Sequence, residues 1–181
     1  MLKSHGRLRL AVIASAAASC LALSAGASHA APAAKAPAAK GPAATVRQFI
    51  DAFDKGDMKA AEATNLADVS IVDEVPPHFW HGPGAFMAWA GDLGKDAKAH
   101  EQADNKVMLG KVSRQVITGD MAYVVVGVTY SYTEKGVPMT EPAKMVYALK
   151  KDGAAWKIAG WTWAGTTPHP VAAAPAAPAK P

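Results

Sequence analysis

The fold is decided by a stretch dense in valine, tyrosine and threonine, Met121-Ala-Tyr-Val-Val-Val-Gly-Val-Thr-Tyr-Ser-Tyr-Thr133. This composition is typical of a half-buried strand, because β-branched and aromatic side chains pack well on a pleated surface. Turn sequences flank the stretch, with Gly119-Asp120 before it and Glu134-Lys-Gly136 after it. It therefore predicts one strand of an antiparallel sheet that continues in both directions along the chain.

The neighbouring stretches have the same character and predict three further strands. These are Lys106–Thr118, Met139–Lys150 and Ala155–Ala164. A tight-turn sequence, Lys151-Asp-Gly153, separates the last two strands. Three successive hairpins follow from this order, and they predict an antiparallel meander.

The region before the meander has helical periodicity. One apolar stripe at helical spacing consists of Val46, Phe49, Ile50 and Phe53. Thr45 is the expected N-cap of this first helix, and Gly56 is expected to end it. Asp57 is expected to cap a second helix that begins at Met58 and ends at about Thr64.

A short strand and a third helix complete the pattern. The strand Val69–Val75 is expected to end at Pro76-Pro77, because proline cannot donate to a sheet ladder. Gly82-Pro83 is expected to open a helix that ends at about Leu93. Three helices packed against one face of a meander define an α+β domain.

The first residues of the 181-residue chain predict export. Residues 1–30 combine an early basic segment, an apolar run and small residues before Ala31, which is typical of a cleaved secretory signal. We therefore expect a periplasmic or secreted protein with no membrane contact after cleavage. Cys20, the single cysteine, lies in the apolar run, so the mature chain should have no disulfide and no thiol nucleophile. A lipoprotein signal at Cys20 is the alternative.

Two segments rich in alanine and proline surround the expected folded domain, residues 44–165. Residues 31–43 predict an extended linker, and residues 166–181 predict a disordered tail. The formal charge of +4 comes from residues 1–30 and the two segments rich in alanine and proline. The rest of the chain contains 13 basic and 15 acidic residues. A basic surface for nucleic acid is therefore not expected.

Three local sequences, in this order and spacing, resemble the nuclear transport factor 2-like superfamily, which includes the SnoaL-like cyclases and the ketosteroid isomerases. The first is the opening helix Val46-Arg-Gln-Phe-Ile-Asp-Ala-Phe-Asp-Lys-Gly-Asp57. The second is Ser70-Ile-Val-Asp-Glu74 followed by Trp80-His-Gly82, and the third is Asp152-Gly-Ala-Ala-Trp-Lys-Ile158. The resemblance implies a cone-like, curved, mixed but mostly antiparallel sheet with three N-terminal helices packed on its concave face. It says little about activity, because one fold hosts many functions.

The resemblance to the isomerases can be followed residue by residue. Their general base is an aspartate nine residues before the glycine that opens the third helix, and Asp73 stands at that distance from Gly82. The positions of their two oxyanion donors match Phe49 and Met145, which cannot donate the hydrogen bonds that stabilise an enolate. The resemblance therefore implies a filled base position and argues against steroid isomerase activity.

The sequence assigns the chemistry to Asp73 and two nearby histidines. On the strand Val69–Val75, Asp73 is expected to face the apolar interior, where burial would raise the pKa of its carboxyl. Glu74 would then point the opposite way, so that at most one of the two enters the pocket. His78 and His81 are candidate catalytic residues at the pocket mouth, where one of them could form a proton-relaying pair with Asp73.

The expected pocket is lined by Phe49, Phe53, Asp73, Trp80, Trp89, Tyr130 and Met145. Binding of a small hydrophobic or amphipathic molecule is the leading hypothesis. The first alternative is an acid/base enzyme of the isomerase, hydratase or cyclase type with Asp73 as general base. The second is a structural homodimerisation module whose pocket is filled. No cofactor is expected, because nucleotide-binding glycine motifs are missing, and no metal, because His78-x-x-His81 lacks zinc-protease spacing.

The tryptophans of the last strand predict a homodimer. Strand alternation places Trp161 and Trp163 on one face, and Trp156 and Ile158 on the other. One pair would then lie on the outer sheet face as an unusual exposed apolar patch. This patch predicts pairing of two chains through their outer sheet faces, and packing in the core or at its rim is the alternative.

Overall fold

The computed structural model describes residues 40–172. The predicted export signal, Cys20, residues 31–39 of the predicted linker and residues 173–181 of the predicted tail lie outside the described residues. Among the described residues, none of the helices combines the length and the apolar character that crossing a membrane requires.

Two helices precede the sheet. Helix α1, Pro42–Asp54, buries the apolar stripe predicted for it, and helix α2, Met58–Glu62, is a single turn. Asp57 caps α2 as predicted, since its carboxylate accepts a hydrogen bond from the Ala60 N–H at 2.9 Å. The predicted N-cap Thr45 is wrong, because α1 begins a turn earlier behind Gly41. The Thr45 hydroxyl instead donates to the Trp156 carbonyl of the last long strand, at 3.3 Å.

A hairpin and a long helix follow. Strand β1, Asn65–Val72, pairs antiparallel with β2, Phe79–His81, and helix α3, Ala85–Ala99, comes next. Strand β2 was not predicted, because three residues are too short to show a period. The third helix continues six residues past its predicted end, since the sequence carries no glycine or proline signal between Lys95 and Ala99.

The meander is present in full. It consists of β3, Gln102–Thr118; β4, Met121–Glu134; β5, Val137–Asp152; and β6, Ala155–Gly165. A two-residue strand β7, His169–Pro170, pairs with β5. The described strands form one seven-stranded sheet with the order β2-β1-β6-β5-β4-β3, in which only the β1–β6 pair is parallel.

The architecture is mixed α+β with a curved, mostly antiparallel sheet. Register shifts interrupt the β3–β4 and β5–β6 ladders, and such bulges bend and twist the strands that contain them. The core lies between the inner sheet face and the helices. The expectation of three N-terminal helices is met only in part, because α2 is one turn long and α3 follows two strands.

The predicted split of the tryptophans between the two sheet faces is wrong. Ile158 pairs with Leu149, but Gly160 pairs with Ala148, so one extra residue is inserted into β6 between these pairs. The insertion reverses the alternation, and Trp156 and Trp161 are both buried on the inner face. The homodimer loses the observation that motivated it and stays a prediction.

Candidate functional site

A cavity of about 430 Å³ lies between the inner face of the sheet and helices α1 and α3. Its walls contain seven aromatic side chains, those of Phe49, Phe53, Trp89, Tyr130, Tyr132, Trp161 and Trp163. Five carboxyl groups also line it, those of Asp73, Glu74, Asp96, Glu134 and Glu141. The cavity is thus an apolar chamber with an acidic wall.

The aromatic side chains hold one another in place. The rings of Trp89 and Trp161 meet edge to face with centroids 4.8 Å apart, and Phe53 packs on Trp89 at 5.5 Å. On the opposite side, Tyr130 meets Trp163 edge to face at 6.1 Å. Such arrangements are the favourable ones for aromatic pairs, so the walls are pre-formed.

Asp73 lies directly after β1 and is only 9% exposed. Its Oδ1 accepts a hydrogen bond from the Val75 N–H at 3.0 Å, and its Oδ2 accepts one from the Trp89 indole N–H at 3.1 Å. Burial raises the pKa of this carboxyl, and the two donors offset part of the rise because they stabilise the charged form. Asp73 is thereby held in one orientation at the cavity wall.

Glu141 of β5 is the second buried acid, and the sequence interpretation missed it. It is 1% exposed, and its Oε1 accepts a hydrogen bond from the Trp163 indole N–H at 3.1 Å. Burial raises the pKa of Glu141 to about 7, and the neighbouring negative charge of Glu74 contributes to the rise. A sequence signal exists, because Glu141 is in phase with the buried apolar residues at every second position of β5, namely Ala143, Met145, Tyr147 and Leu149.

Glu74 corrects a second expectation. Asp73 and Glu74 both line the cavity, although alternation on one strand would send them to opposite sides. Burial still alternates here, with Asp73 buried and Glu74 exposed, so Glu74 reaches the cavity only at its edge. Glu74 is exposed at the cavity edge, where partial burial raises the pKa of its carboxyl and the charge of Asp73 adds to the rise.

Six of the seven residues expected to line the pocket lie in the cavity wall, and Trp80 does not. The six are Phe49, Phe53, Asp73, Trp89, Tyr130 and Met145. Trp80 is buried on β2, where its indole N–H donates to the Asp92 carboxylate of α3 at 3.0 Å. Its role in the structure is to join the hairpin to the helix.

The expected pairing of a histidine with Asp73 is wrong. His78 and His81 are exposed, and neither lines the cavity. The Nδ1 atom of His81 lies 2.8 Å from the Ser70 hydroxyl, and its ring stacks on Phe79. His81 pairs with Ser70 across the β1–β2 ladder and His78 lies just before β2, and neither histidine is in the cavity lining.

One other histidine lies at the cavity edge. His100, directly after α3, lines the opening and is exposed. Its Nδ1 is 3.3 Å from the Asp96 carboxylate. Within residues 40–172, no group of three histidine, cysteine or acidic side chains has an arrangement that could hold a metal ion.

The fold and the cavity define a class of protein, and a comparison with protein families identifies it. A sequence profile described as the SnoaL-like domain matches residues 43–162. The chain therefore belongs to the SnoaL-like domain family.

Solved structures give the same fold at low sequence identity. A type 2 hexachlorocyclohexane dehydrochlorinase is 12% identical with a TM-score of 0.60, and covers 76% of this chain and 93% of its own. A type 3 enzyme of that name from Novosphingobium barchaimii is 14% identical, with a TM-score of 0.59 and coverages of 75% and 94%. A ketosteroid isomerase-like protein from Erwinia carotovora is 18% identical, with a TM-score of 0.51 and coverages of 69% and 93%. No curated protein matches the chain significantly.

Proposed function

We propose that this SnoaL-like domain binds a small amphipathic molecule in its cavity. The observation that carries the proposal is an open, aromatic-walled chamber in which two carboxyl groups, those of Asp73 and Glu141, are each held by a tryptophan N–H. The apolar body of the ligand would pack on the aromatic wall, and its polar group would meet the acids. Pockets with mostly apolar walls and a few fixed polar groups are typical of small-molecule sites.

A purely structural role explains the same features poorly. A filled cone would have no chamber of this size, and buried carboxyl groups lower the stability of a fold unless they are fully paired. Apolar residues at these two positions would stabilise the domain more. Acids that weaken the fold and yet face a cavity are typical of sites for ligands or chemistry.

Filling the cavity should weaken the binding of a neutral apolar probe. We expect N-phenyl-1-naphthylamine to fluoresce on binding to the wild-type protein, and Leu93→Trp to weaken this binding at least about tenfold by occupying the chamber. Met87→Trp, on the exposed side of the same helix, is the matched control and should bind like the wild type. Equal binding by both variants would contradict a cavity site.

Acid/base catalysis on the bound molecule is the second candidate function. It is favoured by the two acids in one chamber, because Glu141 exchanges its proton near pH 7 while Asp73 receives two hydrogen bonds that favour its charged form. Acids with different environments can divide the roles of proton donor and base. The dehydrochlorinases and the isomerase-like protein share only the fold with this chain, so they support neither candidate over the other.

Hydrogen–deuterium exchange tests the second candidate without knowledge of the substrate. Asp73 would remove a proton next to the carbonyl of 4-phenyl-2-butanone while Glu141 donates a hydrogen bond to the oxygen, and a deuteron from D2O would return to carbon. We expect Asp73→Asn to lower the exchange rate, followed by proton NMR, at least about a hundredfold. Exchange by the wild type no faster than in buffer would leave binding as the proposed function.

Export of the protein remains a proposal, and it rests on residues 1–30 alone.

A further inference from the structure

The charges around the cavity have one sign. Its five carboxyl groups face a lining that contains neither lysine nor arginine. The one basic side chain in the lining, His100, is exposed at the edge and lies beside Asp96. The carboxyl groups also act on one another, since the charge of Asp96 raises the pKa of Asp73, and the charges of Glu74 and Asp73 raise that of Glu141. Among the described residues, no lysine or arginine lines the cavity to neutralise this wall.

The aromatic residues beside the acids are suited to a cation. Tyr130 and Glu141 are direct neighbours across the β4–β5 ladder, and Tyr130 packs on both Tyr132 and Trp163. The indole of Trp163 thus touches the carboxylate at its N–H and a tyrosine at its ring. Aromatic faces attract organic ammonium groups, and the attraction grows when water is excluded.

A third feature is independent of the acids. Trp161 is 3% exposed and lines the cavity, and its indole N–H has no hydrogen-bond partner in the described chain. Buried donors are nearly always satisfied, so an exception needs an explanation. The Nε1 atom is itself buried, so this donor does not indicate the charge of a ligand.

We infer that the cavity takes an organic cation, an ammonium group attached to an apolar or aromatic body, with the ammonium at Glu141 and Glu74 and the body against Trp89 and Trp161. This inference rests on the proposed function and adds the chemical class of the ligand. A neutral ligand would leave the acidic wall uncompensated. An anionic ligand would be repelled by it.

The inference predicts a direction of pH dependence. The titratable groups that line the cavity with Glu141 are Asp73 and Glu74 after β1, Asp96 of α3 and His100 after it, and Tyr130, Tyr132 and Glu134 of β4. A cation binds best when Glu141 is ionised, so its affinity should rise about tenfold between pH 6 and pH 8. A neutral ligand that accepts a hydrogen bond from protonated Glu141 would show the opposite trend.

A pair of probes with the same shape provides the test. Benzyltrimethylammonium and its neutral isostere neopentylbenzene differ only in charge, and their binding is measured by displacement of N-phenyl-1-naphthylamine from the full chain. We expect the cation to bind at least about tenfold more tightly at pH 8. Glu141→Gln and Glu74→Gln should each weaken the binding of the cation and leave the binding of the isostere unchanged. Glu62→Gln, an exposed acid of α2, is the control and should change neither.

The outcomes separate the inference from the proposed function. Equal or tighter binding of the isostere would overturn the cation inference and leave the cavity as a binding site. Binding of the dye with displacement by neither probe would also overturn the inference alone. Failure of the wild-type protein to bind the dye would overturn the proposed function, and the inference with it.

Discussion

Glutamine in place of Glu141 is expected to make the folded domain more stable than the wild type at pH 8, by about 1–2 kcal/mol, because solvent screening reduces the cost of the charge. The pKa of Glu141 is raised to about 7 in the folded chain, from 4.5 when the group is free. Between these values the folded chain binds more protons than the unfolded chain. Wild-type stability should therefore fall as the pH rises through this interval, and the fall should end above about pH 7.

The glutamine variant removes this dependence because its amide does not ionise. Its Oε1 can still accept the hydrogen bond from Trp163, so the packing of the site is retained. Urea unfolding at several pH values between 4.5 and 8 measures the difference, which should be small at pH 4.5 and largest at pH 8. Glu62→Gln serves as the exposed control and should follow the wild type. Parallel curves for wild type and Glu141→Gln would contradict the raised pKa of Glu141 in the folded chain.

Alanine in place of Phe49 should lower the free energy of unfolding by about 3–5 kcal/mol, the largest loss among the variants proposed here. Phe49 is 1% exposed, and its ring lies 5.9–6.3 Å, between centroids, from the rings of Phe86, Tyr147 and Trp161. Truncation removes contacts with α3 and with the sheet at once. Phe49 also borders the open cavity. The space left by its ring would therefore join the cavity, and the surrounding side chains would not move in to fill it.

The control for this prediction is a phenylalanine of the same size at the surface. Phe79 is 58% exposed, so Phe79→Ala should change the free energy of unfolding by no more than about 0.5 kcal/mol. Thermal and urea unfolding of both variants measure the contrast. A loss of less than about 1 kcal/mol in Phe49→Ala would mean that the helix–sheet packing around this ring contributes little.

Sequence reasoning succeeded where a feature is local or periodic. The Asp57 cap, the α1 stripe and the four strands of the meander each depend on residues close together in the chain. Sequence reasoning failed where one inserted residue or one short strand changed the direction in which side chains point. One extra residue in β6 moved Trp156 and Trp161 to the same face, and the three-residue β2 turned His81 out of the site.

Of the two buried acids in the candidate site, only one could be predicted from the sequence. Asp73 was singled out through the resemblance to the isomerases, and Glu141 was missed because that resemblance marks no acid at its position. The sequence of β5 by itself indicates only that Glu141 lies on the buried face of its strand. Its neighbours Tyr130, Trp163 and Glu74 come from separate segments, which the sheet register and the curvature bring together.

By itself the sequence determined the element types, the meander and the membership of the SnoaL-like family, because hydrophobic period and turn chemistry act over a few residues. Only the tertiary structure decided which acids share one chamber. A period specifies the face on which a side chain lies, whereas its partners depend on strand register, bulges and the position of α3 over the sheet. The meeting of Asp73 with Glu141, 68 positions later in the chain, is therefore a property of the folded cone and not of any segment of it.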